Sequence, residues 1–254
     1  MKVAAYQAPF LTSGSMDALG LIRRRIAWCE SEGVTILCCP EAIIGGLADY
    51  AARPADFAID VEGGELGALL APLASDAVTT ILGFTERAGA GRLYNSAAVL
   101  HKGAVLGVYR KHHPGINRSI YQAGDQLPVF DVHGFLFGIL ICNDSNYPEA
   151  ARSMVARGAR ALFVPTHNGL PLEKADVVTE SRNVDTALAR ENNVAVIRAD
   201  VAGRADGRVS YGSSGIVDSR GVVLRSGLSL CEDLLVADLV RAPSGSLNRP
   251  SVST

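Results

Sequence analysis

Apolar positions recur in this chain with two rhythms. Leu19, Ile22, Ile26 and Cys29 fall at i, i+3, i+7 and i+10, the spacing of an amphipathic helix, and Leu66, Leu69, Leu70 and Leu73 make a second such stripe. Val177, Val184 and Leu188 predict a further helix within 173–190. Between them lie short, β-branched apolar runs at 34–38, 78–84, 97–100, 105–109, 136–141, 161–164, 194–199 and 234–239. The first residues read as one more strand, ending at Pro9. Runs so apolar suit strands covered on both faces, so layers must lie on each side of the sheets. His101-Lys102-Gly103 and Ser219-Arg220-Gly221 predict hairpin turns in which glycine supplies the positive φ. Pro148 is placed to open a helix running toward Gly158. The pattern predicts a mixed α/β layered domain; it does not set the strand order.

With 254 residues, 48% of them apolar, the chain can bury a sizeable core and is expected to form a single domain over 1–254. Its one tail-like stretch is the Ser- and Pro-containing 242–254, a candidate dimer contact. The formal net charge of −2 gives no electrostatic footprint for nucleic acid or an anionic membrane. There is no signal-type apolar core at the start, and no apolar run approaches the length that spans a bilayer. The five cysteines, Cys29, Cys38, Cys39, Cys142 and Cys231, are odd in number and lack metal-ligand spacing. Free thiols in a reducing cytoplasm are therefore expected, with adjacent Cys38 and Cys39 as core packing. No G-x-G-x-x-G opens a helix, and no cofactor is expected.

Three polar residues stand just past the ends of apolar runs, where α/β sheets commonly place their sites. Glu41 follows 34–40, Lys111 follows 105–110, and Cys142 follows 135–141. Taken singly, a cysteine there is usually inert packing, a glutamate a helix cap and a lysine a surface charge. Taken together they supply a base, a cation and a nucleophile, the parts of thiol-based acyl transfer. A thiol in a strand-to-helix turn is also expected to feel the positive helix end, which favours thiolate. His112-His113 points to opposite faces if extended and has no acidic or cysteine partner at ligand spacing, so no metal site is read there. One of the two histidines is expected to line the pocket beside Lys111.

These segments resemble, in order, the signature blocks of the nitrilase (carbon–nitrogen hydrolase) superfamily. Pro40-Glu41 with Gly45-Gly46 resembles the block that carries the catalytic glutamate. Tyr109-Arg110-Lys111, preceded by Tyr94-Asn95-Ser96-Ala97, resembles the lysine block. Gly138-Ile-Leu-Ile-Cys142-Asn-Asp-Ser-Asn-Tyr147-Pro-Glu149, with Arg152, resembles the cysteine block, and the Asn146-to-Glu149 stretch is most similar to the amidase branch. Support also comes from the opening residues 1–7, from Arg190-Glu191-Asn192, and from Tyr211-Gly-Ser-Ser-Gly-Ile-Val-Asp218 with Gly221. The likeness runs from the first strand to about Leu224.

The resemblance implies an α/β fold, a four-layer α-β-β-α sandwich of two mixed sheets, that usually dimerises or assembles further. It implies Glu41 as general base, Cys142 as nucleophile, and Lys111 with the backbone N–H of Asn143 as oxyanion donors. Asn117, Asn143, Tyr147, His167 and Asn168 are the expected substrate contacts, and the implied substrate is a small linear amide cleaved through a thioester. Two departures stand out. The second glutamate of most relatives falls at Asn117, with no acidic residue anywhere in 112–123, and Leu188 replaces a family arginine. Arg118 and Arg182 are left as candidates for a carboxylate clamp. An N-carbamoyl-compound hydrolase, an acyltransferase, or an impaired ligand-binding or scaffold member remain open alternatives.

Overall fold

A strand sends successive side chains to opposite faces, so a sheet covered on both sides must be apolar at every position. The computed structural model describes residues 1–115, 119–170 and 176–239; Asn117, Arg118 and the tail 242–254 lie outside the described residues. In chain order the elements are β1 (Lys2–Pro9), α1 (Ala18–Ser31), β2 (Ile36–Cys38), β3 (Ile59–Asp60), α2 (Glu65–Leu70), β4 (Thr79–Ala88), β5 (Arg92–His101), β6 (Ala104–Arg110), β7 (Phe130–Val132) and β8 (Phe135–Ile139). There follow α3 (Pro148–Ala156), β9 (Ala161–Pro165), α4 (Val177–Asn192), β10 (Ala195–Ala199), β11 (Val201–Ala205), β12 (Arg208–Tyr211), β13 (Gly215–Val217), β14 (Val223–Ser226) and β15 (Asp233–Asp238).

Two mixed sheets result. The first runs β12-β11-β1-β2-β4-β5-β6, with β15 also on β1 and β3 on β4; the second runs β14-β13-β10-β9-β8-β7. β1, β2 and β4 are parallel, as are β8, β9 and β10, whereas β4, β5 and β6 pair antiparallel. Alternation divides the first sheet cleanly. Val3, Ala5, Ile36, Cys38, Ile81, Ala97 and Val99 join Phe137, Ile139, Phe163 and Ile197 of the second sheet in one core. Their neighbours Ala4, Tyr6, Leu37, Cys39, Leu82, Phe84, Ala98 and Leu100 pack with Ile22, Ile26 and Cys29 of α1 and Leu66 and Leu70 of α2. Met154 of α3 and Leu188 of α4 cover the far side of the second sheet. The layers are therefore helix, sheet, sheet, helix, and adjacent Cys38 and Cys39 serve different cores.

The turns follow their residue types. Lys102 (φ 48) and Gly103 (φ 77) link β5 to β6 with two left-handed residues, the twist that suits a hairpin. The leucine stripe from Leu66 to Leu73 is not one helix: α2 stops at Leu70 and a 3-10 turn takes over at Ala71–Leu73, where Pro72 cannot donate an N–H. Strands β7, β11, β12 and β14 lack long apolar runs because they are short or near sheet edges, with exposed or glycine positions such as Gly203 and Arg204. No helix among the described residues is long and apolar enough to cross a membrane.

The Phe163 ring sits wholly buried between the sheets, edge-on to Phe137 at 5.2 Å between centroids. Phe163→Ala should cost about 3–5 kcal/mol, the range for truncating a core aromatic. Urea unfolding should show a lower midpoint with an unchanged slope.

Candidate active site

Three strand ends converge on one place. Glu41 follows β2 through Cys39 and Pro40, Lys111 follows β6 directly, and Cys142 follows β8 through Leu140 and Ile141. All three line a single cavity of about 240 Å³, room for a small molecule only. Glu41 is 2% exposed and Lys111 5%. Lys111 Nζ donates to Glu41 Oε1 at 2.6 Å, and Asn95 Nδ2 donates to the same oxygen at 2.8 Å. Oε2 has no hydrogen-bond partner among the described residues and is left to accept a proton. Burial opposes the Lys111 charge, but the Glu41 carboxylate, with Cys142 and Asp144 adding to it, holds the ammonium above its ordinary pKa.

Cys142 sits at φ 48, in the left-handed region, which for a residue with a side chain costs on the order of 1 kcal/mol. It heads a 3-10 turn over Cys142–Asn146, and the regular helix α3 begins only at Pro148. The expected pull of a helix end is therefore not what governs this thiol. Burial pushes it up to about 12 and the Glu41 carboxylate acts the same way, while Lys111, Arg198 and the backbone of His167 pull back. The sulfur rests as a neutral thiol beside a carboxylate. Its side-chain contact is Asn168 Oδ1, at 3.9 Å.

Asp144 locks the turn. Its carboxylate accepts from the Tyr109 hydroxyl at 2.7 Å, from the Ile141 N–H at 3.0 Å and from the His113 N–H at 2.7 Å. One wholly buried side chain thus ties the Cys142 turn to the strand and loop on either side of Lys111. The N–H of Asn143, in the first turn, has no hydrogen-bond partner among the described residues and is available to an oxyanion.

Of the expected substrate contacts, Asn143, His167 and Asn168 line the cavity with the three central residues. Asn168 is fixed from both ends: Asp200 Oδ1 accepts from its N–H at 3.0 Å, and its Nδ2 donates to Ser213 Oγ at 3.0 Å. Burial, with Arg208 nearby, drives the His167 pKa down to about 3, so the ring is neutral in working conditions. Tyr147 does not line the cavity: the residue is 41% exposed, and its ring stacks on His113 at 3.7 Å between centroids. Neither His112 nor His113 lines the cavity, since His112 Nε2 reaches the Gln126 carbonyl and His113 stacks outward on Tyr147. Arg182 is no carboxylate clamp: its Nη2 is turned onto the Ser213 and Ser214 carbonyls. Asn117 falls in a segment outside the described residues.

Sequence reading gave no role to Asn95, Asp144 or Arg198. Arg198 carried a signal, a charged residue inside the apolar run 194–199, which burial permits only with partners; Asn95 stands before the run 97–100 and Asp144 three residues past 136–141, so neither is marked by such a run.

Two measurements check this geometry. Asp144→Ala leaves one hydroxyl and two N–H donors unpaired, and should lower stability by about 2–5 kcal/mol in urea titration. Because the Cys142 thiol is raised, it is neutral throughout the neutral range, and its thiolate fraction grows about tenfold per pH unit. Alkylation of Cys142 by iodoacetamide should therefore climb steadily from pH 7 to pH 10, with peptide mapping as the readout. A plateau below pH 8 would contradict the neutral thiol.

Comparison with known proteins supplies the wider setting. The chain matches the family described as Carbon-nitrogen hydrolase over residues 2–249. It is 31% identical over 261 residues to a Pseudomonas protegens protein described as a hydrolase in the pqqF 5' region, covering 98% of this chain and 87% of that one. It is also 31% identical over 227 residues to an (R)-stereoselective amidase of a Pseudomonas species, covering 88% and 80%. Among solved structures, an amidase from Nesterenkonia sp. AN1 in complex with acrylamide superposes with a TM-score of 0.80 at 25% identity, over 94% of this chain and 90% of that one. Another structure of the Nesterenkonia enzyme shows covalent addition of the acetamide moiety of fluoroacetamide at its active-site cysteine. This chain belongs to the carbon–nitrogen hydrolase family, within the nitrilase superfamily.

Proposed function

We propose that the protein hydrolyses the C–N bond of a small linear amide through a thioester on Cys142. The observation that carries this is the buried Lys111–Glu41 pair, 2.6 Å apart, lining one cavity with the cysteine. The similar amidases support the substrate class, since the Nesterenkonia enzyme holds acrylamide.

In this reading the Cys142 S–H proton passes to Glu41 as the sulfur attacks the amide carbon. The carbonyl electron pair moves onto oxygen, and Lys111 Nζ with the Asn143 N–H stabilises the resulting oxyanion. Collapse expels nitrogen, which takes the proton from Glu41 and leaves as ammonia or amine, with the acyl group on sulfur. Water then gives a proton to Glu41 as its oxygen attacks the thioester carbon. Collapse of this second intermediate releases the acid, and the departing sulfur regains the proton. A neutral resting thiol suits this cycle, because Glu41 serves as base and then as acid within each half-reaction. Asn168 and neutral His167 supply polar and aromatic wall to the acyl group.

A panel of small aliphatic amides and carbamoyl compounds, assayed for ammonia release, tests the assignment. A primary aliphatic amide should be turned over, and Cys142→Ala should abolish release. Glu41→Gln should slow it by about 10²–10⁴-fold, the usual contribution of a positioned base. Brief mixing with substrate should leave an acyl mass on the Cys142 peptide. Ammonia release that survives in Cys142→Ala would sink the proposal.

A further inference from the structure

Arg198 is an arginine in the middle of an apolar strand, 2% exposed, and it lines the same cavity as Cys142. Burying a guanidinium is costly unless its donors are matched, and here they are matched in three directions. Nε donates to both Asp185 oxygens, at 3.0 and 2.9 Å, and Nη2 donates to Asp185 Oδ1 at 2.5 Å. Nη1 donates to Thr166 Oγ1 at 2.8 Å, and Nη2 also donates to Ser145 Oγ at 3.1 Å. Each of the last two contacts leads to a different part of the site. Ser145 Oγ donates in turn to the Cys142 carbonyl at 2.7 Å, and the Thr166 carbonyl accepts the Glu41 N–H at 3.2 Å.

We propose that Arg198 is a positioning residue for the reaction: one guanidinium, anchored by Asp185 of α4, clamps the turn that carries Cys142 to the loop that carries Glu41. The inference rests on the reading of Cys142 as nucleophile and Glu41 as base. The base and the thiol come from different sheets, Glu41 from the first and Cys142 from the second. Their separation is therefore not fixed by any one ladder of backbone hydrogen bonds. The Asp144 ties to Tyr109 and His113 set the Cys142 turn against Lys111; the ties through Ser145 and Thr166 add the link from that turn to the Glu41 loop, and the planar fork of arginine reaches both while still holding Asp185. A lysine at this place would keep the charge but present one nitrogen to three sets of acceptors. The ties also restrain a backbone that is itself strained, since the Cys142 carbonyl belongs to the left-handed residue. The positive charge further counters burial of the sulfur, so it favours thiolate as the proton leaves.

Four variants test the clamp. Ser145→Ala cuts the tie to Cys142, Thr166→Val frees the guanidinium from the residue whose backbone carbonyl holds Glu41, and Arg198→Lys keeps the charge while losing the fork. In each, kcat on the best amide should fall by about 10- to 100-fold with KM little changed, the signature of misplaced reacting groups. Arg198→Met alone would leave the wholly buried Asp185 carboxylate with only Arg182, 3.6 Å away, and could unfold the protein, so it is paired with Asp185→Asn. In that double variant, the rate of Cys142 alkylation by iodoacetamide should drop at every pH between 7 and 10, while circular dichroism stays native. Wild-type kcat in folded Ser145→Ala and Arg198→Lys, or an unmoved alkylation rate in the folded double variant, would overturn the proposal. The alkylation comparison needs no substrate. A wild-type protein that cleaves no amide would count against the amidase reading, while the alkylation result would still decide the role of Arg198.

Discussion

A lysine ammonium cannot sit in the interior of a protein unless an anion sits against it. Moving either charge out of water costs several kcal/mol, and only close pairing with further hydrogen bonds repays it. Lys111 and Glu41 meet this condition at 2.6 Å, with Asn95 as the second donor to the same oxygen. The pair is also a geometric constraint. Asn95 sits on β5 and accepts the Lys111 N–H through its backbone, so the lysine, its carboxylate and the strand beside them form one unit. The first sheet must end where it does for that unit to close.

The same rule repeats around the cavity. Asp185 balances Arg198, and Glu86 balances Arg110 behind Lys111. Asp200, with no cation bonded to it among the described residues, is satisfied by four donors: the N–H groups of Asn168, Val201 and Ser213 and the Ser213 hydroxyl. Fold and site are therefore not separable here. The buried charges Glu41, Lys111 and Arg198 each shape the pocket and hold elements together, and removing a partner leaves a charge buried with less to balance it. This arrangement also explains the neutral thiol. With its cations already committed to carboxylates, the site gives Cys142 too little positive charge to offset burial, so the proton stays on the resting sulfur.

Much of the fold was legible because layering imposes period and length on the chain. The runs at 78–84, 105–109 and 161–164 became β4, β6 and β9, and the stripe from Leu19 to Cys29 became α1. The edge strands were not legible. β12 at the edge and β11 beside it carry Gly203 and Arg204 at less buried positions and a buried polar Ser210, so they lack the continuous apolar run that marks a strand covered on both faces. The leucine stripe at 66–73 was legible as a buried face but not as two elements, since Pro72 changes the hydrogen bonding without changing the spacing.

For the site, strand-end position alone would not have singled out Glu41, Lys111 and Cys142; the resemblance of successive blocks to the family's signature did, and all three line one cavity. The sequence could not decide which neighbours share their cavity. Tyr147, five residues after the cysteine, turns outward onto His113, while Arg198, fifty-six residues after it, lies against the turn through Ser145. Nor could it set the charge state of the sulfur, which depends on burial and on carboxylates brought from other strands. Local pattern fixes where a side chain leaves the backbone; only the stacking of two sheets decides what it meets, because those contacts join residues far apart in the chain.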